Sequence, residues 1–463
     1  MKPLELEPTR NNLLEMYQKD PIGRNDELHY FVKMLDSLPC KTVVSIDGGW
    51  GSGKTFFVKQ AKMIFDAYND YTKHSKLTTD EETAVKNVFQ KFDKDGLKRA
   101  ATVYYDAWLH DDDEDPVLSL IYCIMQRFGE SLENPKTEKV KKLVECAGEI
   151  IDNLIQGKIG FGPLKYIRQL ITESDKSVVK SLEEKYELKS KIDEFLNQSL
   201  NSDNLQDNEK KLIIFVDELD RCSPLYAVKL LERIKHYFSH EKVVFVFSCN
   251  TSELQHSIKS LYGNDFDAYR YLDRFFNIRL QLSNVDFEDY TSMFSLKTNF
   301  VNESIAQMAK LYGLQLREIC HVYYYVNNIT ANMNLDNFEQ EYRDHLRALK
   351  YYVACFLPII TILYLHDRKK YDSFMSGNGA DEYLIIINKL MDLKNSFIHP
   401  LLAKDETIES IDANRKLKAS YEAMFVIDLE YNNPTVGEIK VGRKVQNDFL
   451  QIVHGLSSTT KFE

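Results

Sequence analysis

The stretch Thr42-Val43-Val44-Ser45-Ile46-Asp47-Gly48-Gly49-Trp50-Gly51-Ser52-Gly53-Lys54-Thr55, continued by FFVKQAKMIFDAY to Tyr68, decides the fold. Its first six residues are a β-rich apolar run, and the residues after Lys54 place apolar side chains at helical spacing. Between them, Gly48 to Thr55 fits GxxxxGK[ST]. Glycines let successive backbone N–H groups turn inward without a Cβ clash, which makes an anion-binding nest at a helix N-terminus. Lys54 is placed to reach the β- and γ-phosphates of a nucleoside triphosphate, and the Thr55 hydroxyl to ligate Mg²⁺. Gly48, Gly49, Trp50, Gly51, Ser52, Gly53, Lys54, Thr55 and Phe56 are therefore the candidate nucleotide-binding residues.

Far downstream, Leu212-Ile213-Ile214-Phe215-Val216-Asp217-Glu218 is an apolar strand ending in two carboxylates. Asp217 stands where a strand-end carboxylate can hold the Mg²⁺ shell, and Glu218 where it can deprotonate an attacking water. Alone, such a pair reads equally as a helix cap. Paired with the glycine loop, it makes the second half of a phosphate site. The nearest match to a guanine-reading NKxD is Asn388-Lys389-Leu390-Met391-Asp392, one residue too long, so ATP is the expected nucleotide.

Further β-rich segments are Thr102–Asp106, Val243–Cys249 and Asn277–Leu282. Strands alternating with helical patterns predict a parallel α/β sheet covered on both faces. About a hundred residues separate the second and third strands, too many for a simple crossover, so residues 110–209 are expected to be a helical insertion. It opens on the acidic run Asp111–Asp115, taken as a solvated loop. Helical patterns cover Val117–Phe128, Lys139–Ile155 and Ser181–Leu200, with a glycine-rich turn near Gly157–Pro163 and a polar linker, Asn201–Lys210. Residues 1–284 form the nucleotide-binding core in this reading. Residues 285–463 form an α-helical lid and helical domain, possible to split at the flexible Ser376–Ala380.

The 463 residues are 44% apolar and 28% charged, ordinary for a globular protein of two or three packed units. A net charge of -11 argues against non-specific binding to nucleic acid or anionic lipid and leaves specific nucleic-acid binding open. Seven widely spaced cysteines with no CxxC pair predict reduced, buried thiols, with neither a disulfide framework nor a zinc knuckle. Tyr351–Leu365 is a 15-residue apolar stretch interrupted by Pro358. That is short of the roughly 18–20 residues of a membrane span, so a buried core helix and a soluble cytoplasmic protein are expected.

The set DGGWGSGKT, YYDAWLHDDDEDP, IIFVDELDRCSPLYAVKLLERIKHYF, VVFVFSCN and YLDRFF resembles the KAP family of P-loop NTPases, over roughly Gly23 to Asn328. The resemblance implies the additional-strand class of P-loop ATPases, near the AAA+ and STAND ATPases, with sheet order 5-1-4-3-2 and a helical lid. Ile22-Gly23-Arg24 resembles the segment lying against adenine in AAA+-like ATPases; an ordinary turn is the other reading. Asn250 falls at the sensor position, or caps a helix before Ser252 and Glu253. Arg274 matches an arginine finger completing a neighbouring subunit's site, or pairs with Asp273 or Asp267 at the surface. Arg317 resembles the lid arginine that senses the γ-phosphate, or is solvent-exposed. Asp220-Arg221 reads as a brace before Pro224, and Trp108 as core packing behind the loop.

Many family members carry transmembrane helices between the two phosphate-site motifs. Here that insertion is polar, so no membrane attachment follows. Soluble bacterial members are often found in anti-phage defence. The function expected is thus an ATPase acting as a conformational switch or motor, a homo-oligomer if Arg274 acts in trans. The chain shows no nuclease, protease or deaminase motif, so a separate effector protein is expected. A non-hydrolysing nucleotide-dependent scaffold is the alternative, and a small-molecule kinase a more distant one.

Overall fold

The computed structural model describes residues 6–39, 41–68, 77–90, 92, 96–97, 100–128, 142, 145–151, 175–201, 211–283, 290, 299–331, 343–403, 406–407, 412–427 and 434–459. The glycine-rich turn near Gly157–Pro163, most of Lys139–Ile155 and the linker before Lys211 lie outside them. The chain forms two compact units, Glu7–Asn284 and one containing Val285–Glu463.

In the first unit the elements run α1 (Arg10–Lys19), α2 (Asn25–Ser37), β1 (Thr42–Asp47), α3 (Lys54–Tyr68), α4 (Thr79–Val88), β2 (Ala100–Asp106), α5 (Pro116–Phe128) and α6 (Asp175–Asn201). There follow β3 (Lys211–Asp217), α7 (Pro224–Tyr237), β4 (Val243–Cys249), α8 (Thr251–Tyr262), α9 (Ala268–Asp273) and β5 (Ile278–Gln281). The five strands make one all-parallel sheet in the order β2-β3-β4-β1-β5, the expected 5-1-4-3-2 arrangement.

Burial explains why β3 and β4 are unbroken apolar runs: every residue of both is buried. Alternate residues serve opposite faces. Ile214, Val216, Phe245 and Phe247 pack with helices α5, α6, α7 and α8. Ile213, Phe215, Val244 and Val246 pack with α1, α2, α3 and α4. Each such side chain stabilises the fold by about 1.5–3 kcal/mol relative to exposure. The described ends of the 110–209 insertion are part of this layer. Leu120, Ile121 and Ile124 of α5 and Ile192, Phe195 and Leu196 of α6 lie in the same apolar cluster as the sheet.

Register sets the site. Asp106 pairs across from Asp217, Asp217 from Ser248, and Asp47 from Cys249, so four strand ends line up along one sheet edge. The glycine loop leaves β1 at that edge. The acidic run beside it is more ordered than a solvated loop. Asp111 accepts hydrogen bonds from the Ser223 N–H and hydroxyl at the start of α7, and Asp115 is buried against Arg233.

The second unit contains α10 (Asn299–Tyr312), α11 (Leu316–Ala331), α12 (Arg343–His366), α13 (Arg368–Ser373), α14 (Ala380–Lys389), α15 (Met391–Ile398), α16 (Ala413–Phe425) and α17 (Arg443–Thr459). A two-stranded hairpin, β6 (Thr435–Val436) and β7 (Ile439–Lys440), departs from the all-helical expectation; it turns on Gly437 at φ 61°. Helix α12 holds Pro358 and is long and apolar enough to cross a membrane, yet 78% of its apolar window is buried within the protein. It is a core helix. The expected split at Ser376–Ala380 is absent: Phe374–Asn378 is a tight π-turn packed into the same unit. The Tyr421 hydroxyl holds it, accepting from Gly379 N–H and donating to Phe374 C=O, both at 2.7 Å.

Among the described residues, six cysteines are free thiols, four of them buried and Cys123 and Cys146 half-buried.

Candidate functional site

The loop from Gly48 to Gly53 turns as its sequence requires, with Gly51 at φ 80° and Gly53 at φ 91°, values that strain an L-residue. Helix α3 begins at Lys54, which is 8% exposed. Its ammonium donates to the loop carbonyls of Gly48 at 2.6 Å and Gly49 at 3.1 Å. The cation thus sits over the cradle it is expected to serve.

Asp217 and Glu218 come to the same place. The Thr55 hydroxyl donates to Glu218 Oε1 at 3.3 Å across 163 residues of sequence, and lies within hydrogen-bonding reach of Asp217. Asp217 is 1% exposed, and burial pushes its carboxyl above the usual carboxylate range. It accepts from the Tyr104 hydroxyl at 2.9 Å and from the Glu218 N–H at 3.0 Å. Glu218 is also raised, by burial first and then by the charge of Asp217, while Arg221 and Lys54 oppose the shift.

Glu218 leaves β3 in the left-handed region, at φ 61°. The turn Leu219–Arg221 follows. Asp220 accepts from the Trp50 indole N–H at 2.6 Å, tying this turn to the phosphate loop. Arg221 pairs through Nε with Glu218 Oε2 and lies over the Trp108 ring, 5.2 Å from its centroid. This is more than a brace before α7.

Trp108 is not core packing. It is 55% exposed, because the fully buried Ala107 takes the inward position and the turn Trp108–His110 carries the indole out. Trp50 is 50% exposed.

Arg24, the third residue of the Ile22-Gly23-Arg24 segment, makes contacts that the sequence reading did not give. It is 5% exposed and donates to the Ser52 carbonyl of the phosphate loop at 2.8 Å and to the Ser283 carbonyl at 3.0 Å. Glu27 accepts from Ser283, so the segment, the loop and the exit of β5 are joined. Gly23 turns at φ 63°, and Ile22 is half-buried. Asp47 was missed too; it accepts from Thr251 N–H at 2.8 Å, next to Asn250.

Asn250 stands at the end of β4 on the same sheet edge, and its side-chain oxygen caps α8 through Ser252 and Glu253. The cap leaves its amide N–H groups unspent.

Arg274 lies elsewhere. It lines a small cavity with Lys41, Thr42, Val43, Lys235 and Phe275 at the opposite edge, where β1 and β4 begin. The six residues of β1 separate it from the glycine loop, about 20 Å at strand rise. The surface ion pairs weighed for it do not form: Asp273 pairs with Arg279 at 3.3 Å and Asp267 with Arg270 at 3.4 Å. Arg317 belongs to the second unit and is half-buried on α11, not open to solvent as its simpler reading had it. Its neighbour Glu318 accepts from Gln315 N–H and faces His366.

Comparison with known proteins identifies the family. A family model described as the KAP family P-loop domain matches residues 24–357. An uncharacterized protein of the archaeon Methanocaldococcus jannaschii is 30% identical over 163 residues, an alignment spanning 29% of this chain and 82% of that protein. The match reaches from the Arg24 segment through both phosphate-site motifs and on into α12, and the chain belongs to the KAP family of P-loop NTPases.

Proposed function

We propose that the protein is a Mg²⁺-dependent ATPase whose turnover switches its conformation. The observation that supports this best is the convergence of Lys54 and Thr55 with Asp217 and Glu218 from the far end of β3. Lys54 would exchange the Gly48 and Gly49 carbonyls for β- and γ-phosphate oxygens. The loop N–H groups hold the triphosphate, and the segment at Ile22-Gly23, joined to the loop by Arg24, lies beside the base.

The donor set fits Mg²⁺: a hydroxyl and a buried carboxylate are hard oxygen ligands, and Asp217 carries a desolvation cost that a divalent cation offsets. Thr55 and Asp217 would hold the ion, which supplies charge neutralisation for the β- and γ-phosphates. Glu218 then takes the proton of the attacking water, its basicity increased by burial and by Asp217. Asn250, with unspent amide hydrogens at the same edge, is assigned to orienting that water. The role the resemblance gives Arg317 is tested by its Ala variant.

Membership of this family, with a polar insertion between the two phosphate-site motifs, supports a place in anti-phage defence as the ATPase partner of a separate effector in the cytoplasm. Its decisive biochemical test is ATP hydrolysis with and without Mg²⁺. Lys54→Ala is expected to abolish nucleotide binding and turnover together. An active Lys54→Ala protein refutes the assignment. The second reading is a scaffold that binds nucleotide without hydrolysing it. On that reading the Glu218–Arg221 pair would withhold the carboxylate from water rather than present it. A Glu218→Gln protein with full biological activity would establish that reading.

A further inference from the structure

The turn after β3 carries contacts that the reaction above does not use. Glu218 Oε1 accepts from Thr55, and Glu218 Oε2 is held by Arg221, so each carboxylate oxygen has its own donor. Of the two cations acting on Glu218, Lys54 is spent on the loop carbonyls, which leaves Arg221 as the one bonded to it. Arg221 itself is seated with its guanidinium over Trp108, a ring otherwise half open to solvent. A guanidinium can offer a rigid N–H edge to a carboxylate while its plane stacks on an aromatic face; an ammonium has no such plane to stack and holds its donors less rigidly.

A glutamate has three rotatable bonds, and a general base must stand within hydrogen-bond reach of its water. Nothing in the backbone of Glu218 fixes the carboxylate. We propose that Arg221, seated on Trp108, is a positioning residue that fixes the Glu218 carboxylate toward Thr55 for the hydrolysis assigned above. The inference rests on that hydrolytic reading. It predicts a loss confined to the chemical step, because Arg221 touches neither the loop carbonyls nor Lys54.

The test measures kcat and KM for ATP in the full chain, with wild type and Lys54→Ala in the same assay. Arg221→Ala is expected to lower kcat about 10- to 100-fold, the usual range for a lost positioning contact. KM should stay within about twofold, as for a lost interaction made in the transition state alone. Arg221→Lys should recover little, Trp108→Phe most, and Trp108→Ala should reproduce part of the loss.

An unchanged or raised kcat in Arg221→Ala overturns the proposal, as does a rise in KM equal to the fall in kcat. Should Arg221→Ala fail a thermal melt, Arg221→Lys and Trp108→Ala decide the matter on the same criteria.

A second readout does not need turnover. The chain has two tryptophans, Trp50 and Trp108, so Trp50→Phe leaves Trp108 as the sole reporter. In that background, Arg221→Ala should shift the emission and increase acrylamide quenching. An indifferent Trp108 refutes the seat. A wild-type protein without ATPase activity refutes the hydrolytic reading, and this fluorescence pair still judges the contact.

Discussion

Glu218 carries the sharpest prediction at the scale of one side chain. It is one of three described non-glycine residues at positive φ, a conformation that costs an L-residue about 1–2 kcal/mol. The return on that strain is direction: the backbone turns sharply after Asp217, so adjacent carboxylates reach Thr55 from one strand end. Glu218→Gln keeps the shape and the Thr55 contact but cannot accept a proton. Turnover should fall by about 10²–10⁴, the worth of a general base, with ATP affinity intact. Equilibrium binding of a fluorescent ATP analogue beside steady-state hydrolysis separates the two, and equal losses in both would remove Glu218 from the base role. Asp217, the proposed Mg²⁺ ligand, should instead lose turnover and the Mg²⁺ dependence of ATP binding together on substitution by Asn.

At the scale of the element, Lys211 shows how an unremarked residue can hold the frame. It opens β3, is 7% exposed, and donates to the carbonyls of Leu35, Asp36 and Leu38 at 3.3, 2.6 and 2.6 Å. These lie at the C-terminal end of α2, where a cation is favoured by the helix dipole. Lys211→Met keeps the stem and leaves three carbonyls without this donor. A loss of about 1–3 kcal/mol is expected by urea unfolding, the cost of unsatisfied buried acceptors. An unchanged midpoint would mean that water replaces the ammonium. In sequence, Lys211 reads only as a polar flank of an apolar run, because nothing local shows that α2 ends beside it. The strands themselves were legible, since burial on both faces demands continuous Val, Ile and Phe. The phosphate loop was legible because eight contiguous residues carry its geometry. Tyr104 on Asp217, Arg24 on Ser52 and Trp108 under Arg221 were not, for each pairs residues from different elements. The same holds for Tyr421, which fixes the π-turn at Phe374–Asn378 from 47 residues away and turns an apparently flexible SGNGA into packed structure.

The largest scale concerns Arg274, which the structure sets at the sheet edge opposite the glycine loop of its own chain. Any action on the γ-phosphate from there must be on a neighbouring copy. A head-to-tail contact of that kind repeats the same pair of unlike surfaces from chain to chain. Arg274→Ala should therefore keep ATP affinity and lose turnover, by as much as about 10³–10⁵ if it is a full finger. Hydrolysis per chain should also rise with protein concentration. The stronger test mixes two inactive proteins. Glu218→Gln chains lack the base but still present Arg274, while Arg274→Ala chains keep the base and lack the cation. In a random one-to-one assembly, an intact base faces an intact arginine at about a quarter of head-to-tail interfaces, so about a quarter of wild-type activity should return. If the mixture stays as inactive as its components while the two proteins demonstrably co-assemble, Arg274 has no role in trans. It is then a surface cation beside the Lys41–Lys235 cavity.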